Sequence, residues 1–160
     1  MTDPVLNVVL YEPEIPLNTG SIGRTCVAVG AKLWLVRPLG FRIDDRRLQR
    51  AGLDYWKHLD WEIVDDWPSL QTALGPLPYW MIETRGERLY TAARFQRRDV
   101  LVFGSETRGL PNKLLNSDPQ RTLRIPMQAE ARSLNQSNVV SVVVFEALRQ
   151  IHSWPGPTLD

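Results

Sequence analysis

Two groups of polar residues have the types and spacing to do chemistry. Glu-Thr-Arg-Gly occurs twice, as Glu83 to Gly86 and as Glu106 to Gly109, each time after a short apolar run. The second group is Ser133-Leu134-Asn135-Gln136-Ser137-Asn138, whose hydroxyls and amides stand directly before the valine-rich segment 139–144. Residues of these types prefer to hydrogen-bond loose backbone, which raises the question of why they stand at the mouth of so apolar an element. Several familiar chemistries are absent. No G-x-G-x-x-G follows a strand, and Gly20-Ser21-Ile22-Gly23-Arg24-Thr25 lacks the lysine and spacing of a phosphate loop. Gly104-Ser105-Glu106 is not a nucleophile elbow. Cys26, His58 and His152 make no zinc set and no plausible Ser-His-Asp arrangement, so no metal is expected.

These residues need elements to hold them, and the apolar pattern supplies them. Val5 to Tyr11 is apolar apart from Asn7, the mark of a strand buried on both faces. Leu33–Val36, Glu62–Val64, Tyr79–Ile82, Val100–Phe103 and Leu123–Ile125 have the same character. Helices are predicted between them: Thr19 to Val29, ended by Gly30 as a C-cap; one after Asp44 with Leu48 and Ala51 facing inward; one near Asp66 with Pro68 in its first turn; and a short one after Pro111. Strands alternating with helices imply an α/β fold, a mostly parallel sheet flanked by helices, in one domain over residues 1–160 with a loose tail at 154–160. Both Glu-Thr-Arg-Gly copies then lie at carboxyl ends of strands, where parallel sheets place their ligands. The valine run favours a strand by side-chain stiffness. The spacing of Ser133 and Gln136 matches a capping box, and Glu146 to Gln150 are strong helix formers, so a helix is predicted from Asn135 to Ile151. It is apolar nearly all round, which predicts burial on more than one side, including against a second subunit.

Bulk composition narrows the class. With 160 residues, 43% hydrophobic, the chain is long enough for a real core. No apolar run approaches a membrane span and the start has no signal-peptide pattern, so a cytoplasmic protein without membrane contact is expected. Net charge is only +1, yet of the 19 basic residues three are lysines and 16 are arginines. Arg42, Arg46, Arg47 and Arg50 form one cluster, and Arg94, Arg97 and Arg98 another. Each reads either as a solvated face or, beside a ligand site, as an RNA track.

Three segments taken in order carry a resemblance: Asn18 to Arg24; Leu101 to Pro111; and Arg124-Ile125-Pro126-Met127 followed by Ser133 to Ser141. They resemble the three motifs of the SPOUT superfamily of RNA methyltransferases. Leu10-Tyr11-Glu12-Pro13-Glu14-Ile15-Pro16 and Arg50 to Tyr55 are similar to its short single-domain branch, which methylates the ribose 2′-oxygen of the tRNA wobble nucleotide, position 34. The resemblance implies a deep C-terminal trefoil knot, S-adenosyl-L-methionine as methyl donor, a homodimer whose sites use both subunits, and the tRNA anticodon loop as partner. By the same resemblance Ile82, Gly104, Ile125, Met127, Ser133 and Leu134 hold the donor, with Gly104 allowing close approach. Arg24, Glu106 and Asn135 line the acceptor side, Asn18 orients Arg24, and Arg24, Arg46, Arg47 and Arg50 contact RNA. For Arg24 an anchoring role is physically easier than that of a base, since guanidinium stays protonated. Glu106 is either a base or a loop stabiliser acting through Arg108 or a backbone N–H. A 2′-O-methyltransferase for ribosomal RNA or another tRNA position, or a non-catalytic RNA-binding module, are the alternatives. The choice between cytidine and uridine is left open.

Overall fold

The computed structural model describes residues 3–44 and 46–151, and within that span the side chains of Arg47, Gln49, Ala51, Gly52 and Leu53 are outside the description. The predicted inward position of Ala51 and the predicted tail at 154–160 therefore lie outside the described residues. The elements run β1 (Asn7–Tyr11), α1 (Pro16–Val29), β2 (Lys32–Val36), α2 (Arg46–Trp56), β3 (Trp61–Val64), α3 (Trp67–Leu74), β4 (Tyr79–Ile82), β5 (Arg88–Leu89), β6 (Val100–Phe103), α4 (Asn112–Ser117), β7 (Thr122–Arg124) and α5 (Gln136–Ile151). The seven strands form one sheet in the order β3-β2-β1-β6-β4-β7-β5, and every pairing is parallel.

Strand alternation sends side chains to two cores. Val8, Leu10, Leu33, Leu35, Leu101 and Phe103 face one side, where Ile22 and Cys26 of α1 and Val140, Val144 and Leu148 of α5 cover them. Val9, Trp34, Val36, Met81 and Val102 face the other, closed by Leu70 of α3 and Leu110. Asn7, the polar break in β1, is almost fully buried and satisfied at both ends: its Nδ2 donates to the Arg98 carbonyl at 2.9 Å, and its Oδ1 accepts from Trp34 Nε1 at 3.0 Å. Burial pushes the Cys26 thiol up to about 12, so it behaves as an inert core atom.

The helix ends follow local chemistry. Gly30 closes α1 in the left-handed region at φ 74° and donates its N–H to the Cys26 carbonyl. Asp66 caps α3 by accepting from Ser69 N at 2.8 Å, which holds its carboxyl below the usual aspartate value. Helix α1 begins at Pro16, three residues before the predicted Thr19, because proline is suited to a first turn. The predicted capping box before α5 is corrected. Asn135 is the cap, its Oδ1 accepting from Ser137 N at 2.9 Å, while Gln136 turns its amide to the Gly104 carbonyl. Helix α5 therefore starts at Gln136. It buries Val140, Val143, Val144, Ala147 and Leu148, but leaves Val142 and Phe145 39% and 44% exposed.

Between β1 and β6 the chain order reverses, since β1 is followed on one side by β2 and β3 and flanked on the other by later strands. That switch point opens a crevice at the strands' carboxyl ends.

Candidate active site

A cleft of about 780 Å³ lies at those carboxyl ends, a size suited to a small-molecule ligand. The loops after β4, β6 and β7 form it, joined by the first turns of α1 and α5. All six predicted donor residues, Ile82, Gly104, Ile125, Met127, Ser133 and Leu134, line it, and so do Asn18, Glu106 and Asn135. Arg24 does not. It sits exposed on α1 with its guanidinium 4.9 Å from the centre of the Tyr55 ring on α2.

Glu106 stands at the switch point with both oxygens occupied. Oε2 accepts from Glu14 N at 2.8 Å; Oε1 accepts from Ile15 N at 3.1 Å and from Asn18 Nδ2 at 3.3 Å. The N–H groups at the entry to α1 lack intrahelical partners, and the carboxylate from the neighbouring loop supplies one. Glu14 returns the contact, accepting from Thr107 N at 3.2 Å and from Thr107 Oγ1 at 2.8 Å. Two glutamates thus exchange backbone hydrogen bonds across the loops after β1 and β6. Arg108 pairs not with Glu106 but with Glu12 at 3.1 Å and with Glu14 at 3.6 Å. Glu12 itself adopts φ 49°, uncommon for a residue with a side chain.

Asn18 extends this network. Its Nδ2 serves Glu106, and its Oδ1 accepts from Asn135 Nδ2 at 3.0 Å. The cap of α5, the start of α1 and the loop after β6 are therefore one hydrogen-bonded unit. In α5 one turn on, Ser141 Oγ lies 3.3 Å from Thr25 Oγ1 of α1.

The first Glu-Thr-Arg-Gly copy repeats the device one strand over. Glu83, after β4, accepts from Leu110 N of the loop after β6 at 3.1 Å. Each glutamate thus binds backbone in the loop of the adjacent strand, β4 to β6 and β6 to β1.

A Cβ at Gly104 would lie 2.2 Å from the Gly109 carbonyl carbon and 2.4 Å from Leu110 N, so the chain's own returning loop already demands glycine here. Gln136 and Glu83 belong to the two polar groups that the sequence singled out but had no site role assigned, and Glu14 was not a candidate. For Glu83 the duplicated motif was the available signal, whereas Glu14 had none because its partner is 93 residues away. Gln136 leaves its Oε1 buried without a partner, an acceptor on the cleft wall able to receive a ligand donor.

Of the predicted RNA contacts, Arg46 and Arg50 are exposed on α2, and the side chain of Arg47 lies outside the described residues. Arg42 is paired with Asp44 at 3.1 Å. Among the described residues no group of three potential metal ligands occurs, and no helix is long and apolar enough to cross a membrane.

Residues 5–145 match the model of the SpoU rRNA methylase family. A Yersinia pestis protein named tRNA (cytidine(34)-2′-O)-methyltransferase is 48% identical, the match covering 97% of this chain and 99% of that protein. A solved structure described as giving insight into the 2-OH methylation of C/U34 on tRNA is 45% identical, with a TM-score of 0.87 over 91% of this chain and 95% of its own. The SpoU methyltransferase AviRb from Streptomyces viridochromogenes, solved with the cofactor AdoMet, is 26% identical, with a TM-score of 0.78 over 94% of this chain and 59% of its own.

Proposed function

The chain belongs to the SpoU rRNA methylase family, and from that premise we propose that it transfers a methyl group from S-adenosyl-L-methionine to the ribose 2′-oxygen of the wobble nucleotide, position 34, of tRNA. The observation that carries this reading is the convergence of all three motif segments on one cleft at the switch point of the sheet. The near full-length likeness to a relative named for that reaction chooses the target.

The cleft fits the donor. Ile82, Ile125, Met127 and Leu134 offer apolar walls for a thioether-like chain and an adenine face, while the buried Gln136 Oε1 offers an acceptor to an amino group. Gly104 and Ser133 complete the donor set through backbone and hydroxyl groups. When bound, the sulfonium supplies an electrophilic methyl group, and the reading calls for no metal. The chain's own residues supply alignment. Asn18 and Asn135 hold each other and Glu106 in fixed orientation beside the cleft, which supports their role in placing the acceptor ribose. Arg24 acts as phosphate anchor, and Arg46, Arg47 and Arg50 of α2 extend the RNA track.

A homodimer completes the site. Arg24 stands outside its own chain's cleft, as expected of a group serving the second subunit, and Leu17, Val142 and Phe145 leave apolar surface exposed on α1 and α5. A C-terminal trefoil knot within a single domain and action in the cytoplasm on the anticodon loop belong to the same reading. The knot is supported by β7 lying between β4 and β5, with Gly86 against the Leu123 backbone.

The test is transfer of labelled methyl from the donor to an anticodon stem–loop by the purified chain. Incorporation that disappears when nucleotide 34 carries 2′-deoxyribose is expected. Incorporation unaffected by that change would reject the assignment.

A further inference from the structure

The two Glu-Thr-Arg-Gly copies are alike in their glutamates and unlike in their arginines. In the second copy Arg108 is neutralised by Glu12 and Glu14. In the first, Arg85 lines the same cleft and is exposed, and among the described residues it has no hydrogen bond or ion pair. Two carboxylates stand two residues away in sequence: Glu83 is committed to Leu110 N and to the N–H and hydroxyl of Thr84, and Glu87 forms no ion pair with Arg85. A second arginine, Arg132, on the segment leading into α5, also lines the cleft, exposed and equally without a partner among the described residues. Arginine is the side chain whose planar fork matches a tetrahedral oxyanion, and two guanidiniums without ion-pair partners among the described residues line this one cleft.

We propose that Arg85 and Arg132 form an anion site at the cleft that seats a backbone phosphate of the RNA substrate, so the duplicated loops divide labour: the Arg108 copy builds the cleft and the Arg85 copy grips the ligand. The proposal rests on the reading given under Proposed function and adds to it the groups that register the RNA over the donor. Both arginines face solvent, where an RNA backbone can reach them, but so do the donor residues Ser133 and Leu134. The donor-affinity measurement therefore separates the RNA phosphate from the donor's carboxylate.

The experiment compares Arg85→Ala, Arg132→Ala, their double variant and Arg108→Ala with the wild type. Affinity for an anticodon stem–loop is measured from low to physiological salt, donor affinity by calorimetry, and stability by thermal melting. Each lost phosphate contact lowers the slope of log affinity against log salt by about 0.7–0.9, so the double variant, which loses the one seated phosphate, should lose roughly that amount. Donor affinity and melting temperature should stay at wild-type values in these variants. Arg108→Ala should show the reverse, a lower melting temperature with an unchanged slope. An unchanged slope in the double variant overturns the proposal. So does a loss of donor affinity without a change in slope, which would assign the arginines to the donor's carboxylate. If the wild type neither binds the RNA nor methylates it, the reaction assignment itself fails, and that result is read in the wild-type arm alone.

Discussion

Replacing Glu106 by Gln separates two roles that its position allows. The carboxylate accepts from Glu14 N, Ile15 N and Asn18 Nδ2 at 2.8, 3.1 and 3.3 Å. An amide in the same place keeps one acceptor oxygen and turns an NH2 toward at least one backbone N–H, donor against donor. A hydrogen bond to a charged acceptor contributes about 1.5–3 kcal/mol, and an orphaned N–H costs about 1–3 kcal/mol. The group is half-buried, so solvent recovers part of this, and a net loss of about 1–3 kcal/mol follows. For a chain of this length that lowers the melting temperature by roughly 2–10 °C. If Glu106 acts by fixing the loops after β1 and β6, stability and single-turnover rate fall together, and the rate keeps its dependence on pH. If it is instead the proton acceptor, the rate drops by roughly 10²–10⁴ with stability intact and the pH dependence altered. Melting curves and single-turnover rates across pH, at saturating donor and RNA, distinguish the two. The second pattern would refute the clasp.

Gly104→Ala should destabilise the fold by about 1–3 kcal/mol, because the added methyl meets the Gly109–Leu110 backbone; a variant that melts like the wild type yet loses donor binding would return Gly104 to the ligand. Asp99 offers a pH test. Burial pushes its carboxyl above the ordinary aspartate value, against the hydrogen bonds from Gln96 N and Trp80 Nε1. The folded value exceeds the unfolded one, so the stability contributed by this group is present at low pH and lost as pH rises through the folded value. Asp99→Asn keeps an oxygen for both donors and should be at least as stable as the wild type at neutral pH, with any advantage shrinking on acidification; a melting temperature well below the wild type at pH 7 would show that the charge is needed, with Arg121 as its counterion. Val142→Glu with Phe145→Glu should yield a folded monomer by light scattering that no longer methylates RNA, and a dimer that survives both charges would move the interface elsewhere.

The sheet was legible because its signals are local. Runs such as Val100–Phe103 are apolar on both faces, and Gly30 and Asp66 punctuate their helices by their own side-chain chemistry. β5, at two residues, is too short to carry a pattern. The valine run was resolved correctly as helix from the residues after it, but its cap was misplaced by two positions, since Gln136 reaches the Gly104 carbonyl 32 residues away. The cleft residues were legible only through motif order. Nothing near Glu106 announces that it accepts from Glu14 and Ile15, and a glycine such as Gly104 does not say which backbone approaches it. Long-range contacts chosen by topology are what a single sequence conceals.

The central claim is the position of the methyl group. Ribose-methylation mapping of total tRNA and ribosomal RNA from a strain lacking this chain, beside one restored with it, tests that claim most directly. The account predicts loss of 2′-O-methylation at nucleotide 34 of a subset of tRNAs, its return on restoration, and no change elsewhere. Intact methylation at nucleotide 34 with loss at a ribosomal or other tRNA position would contradict it.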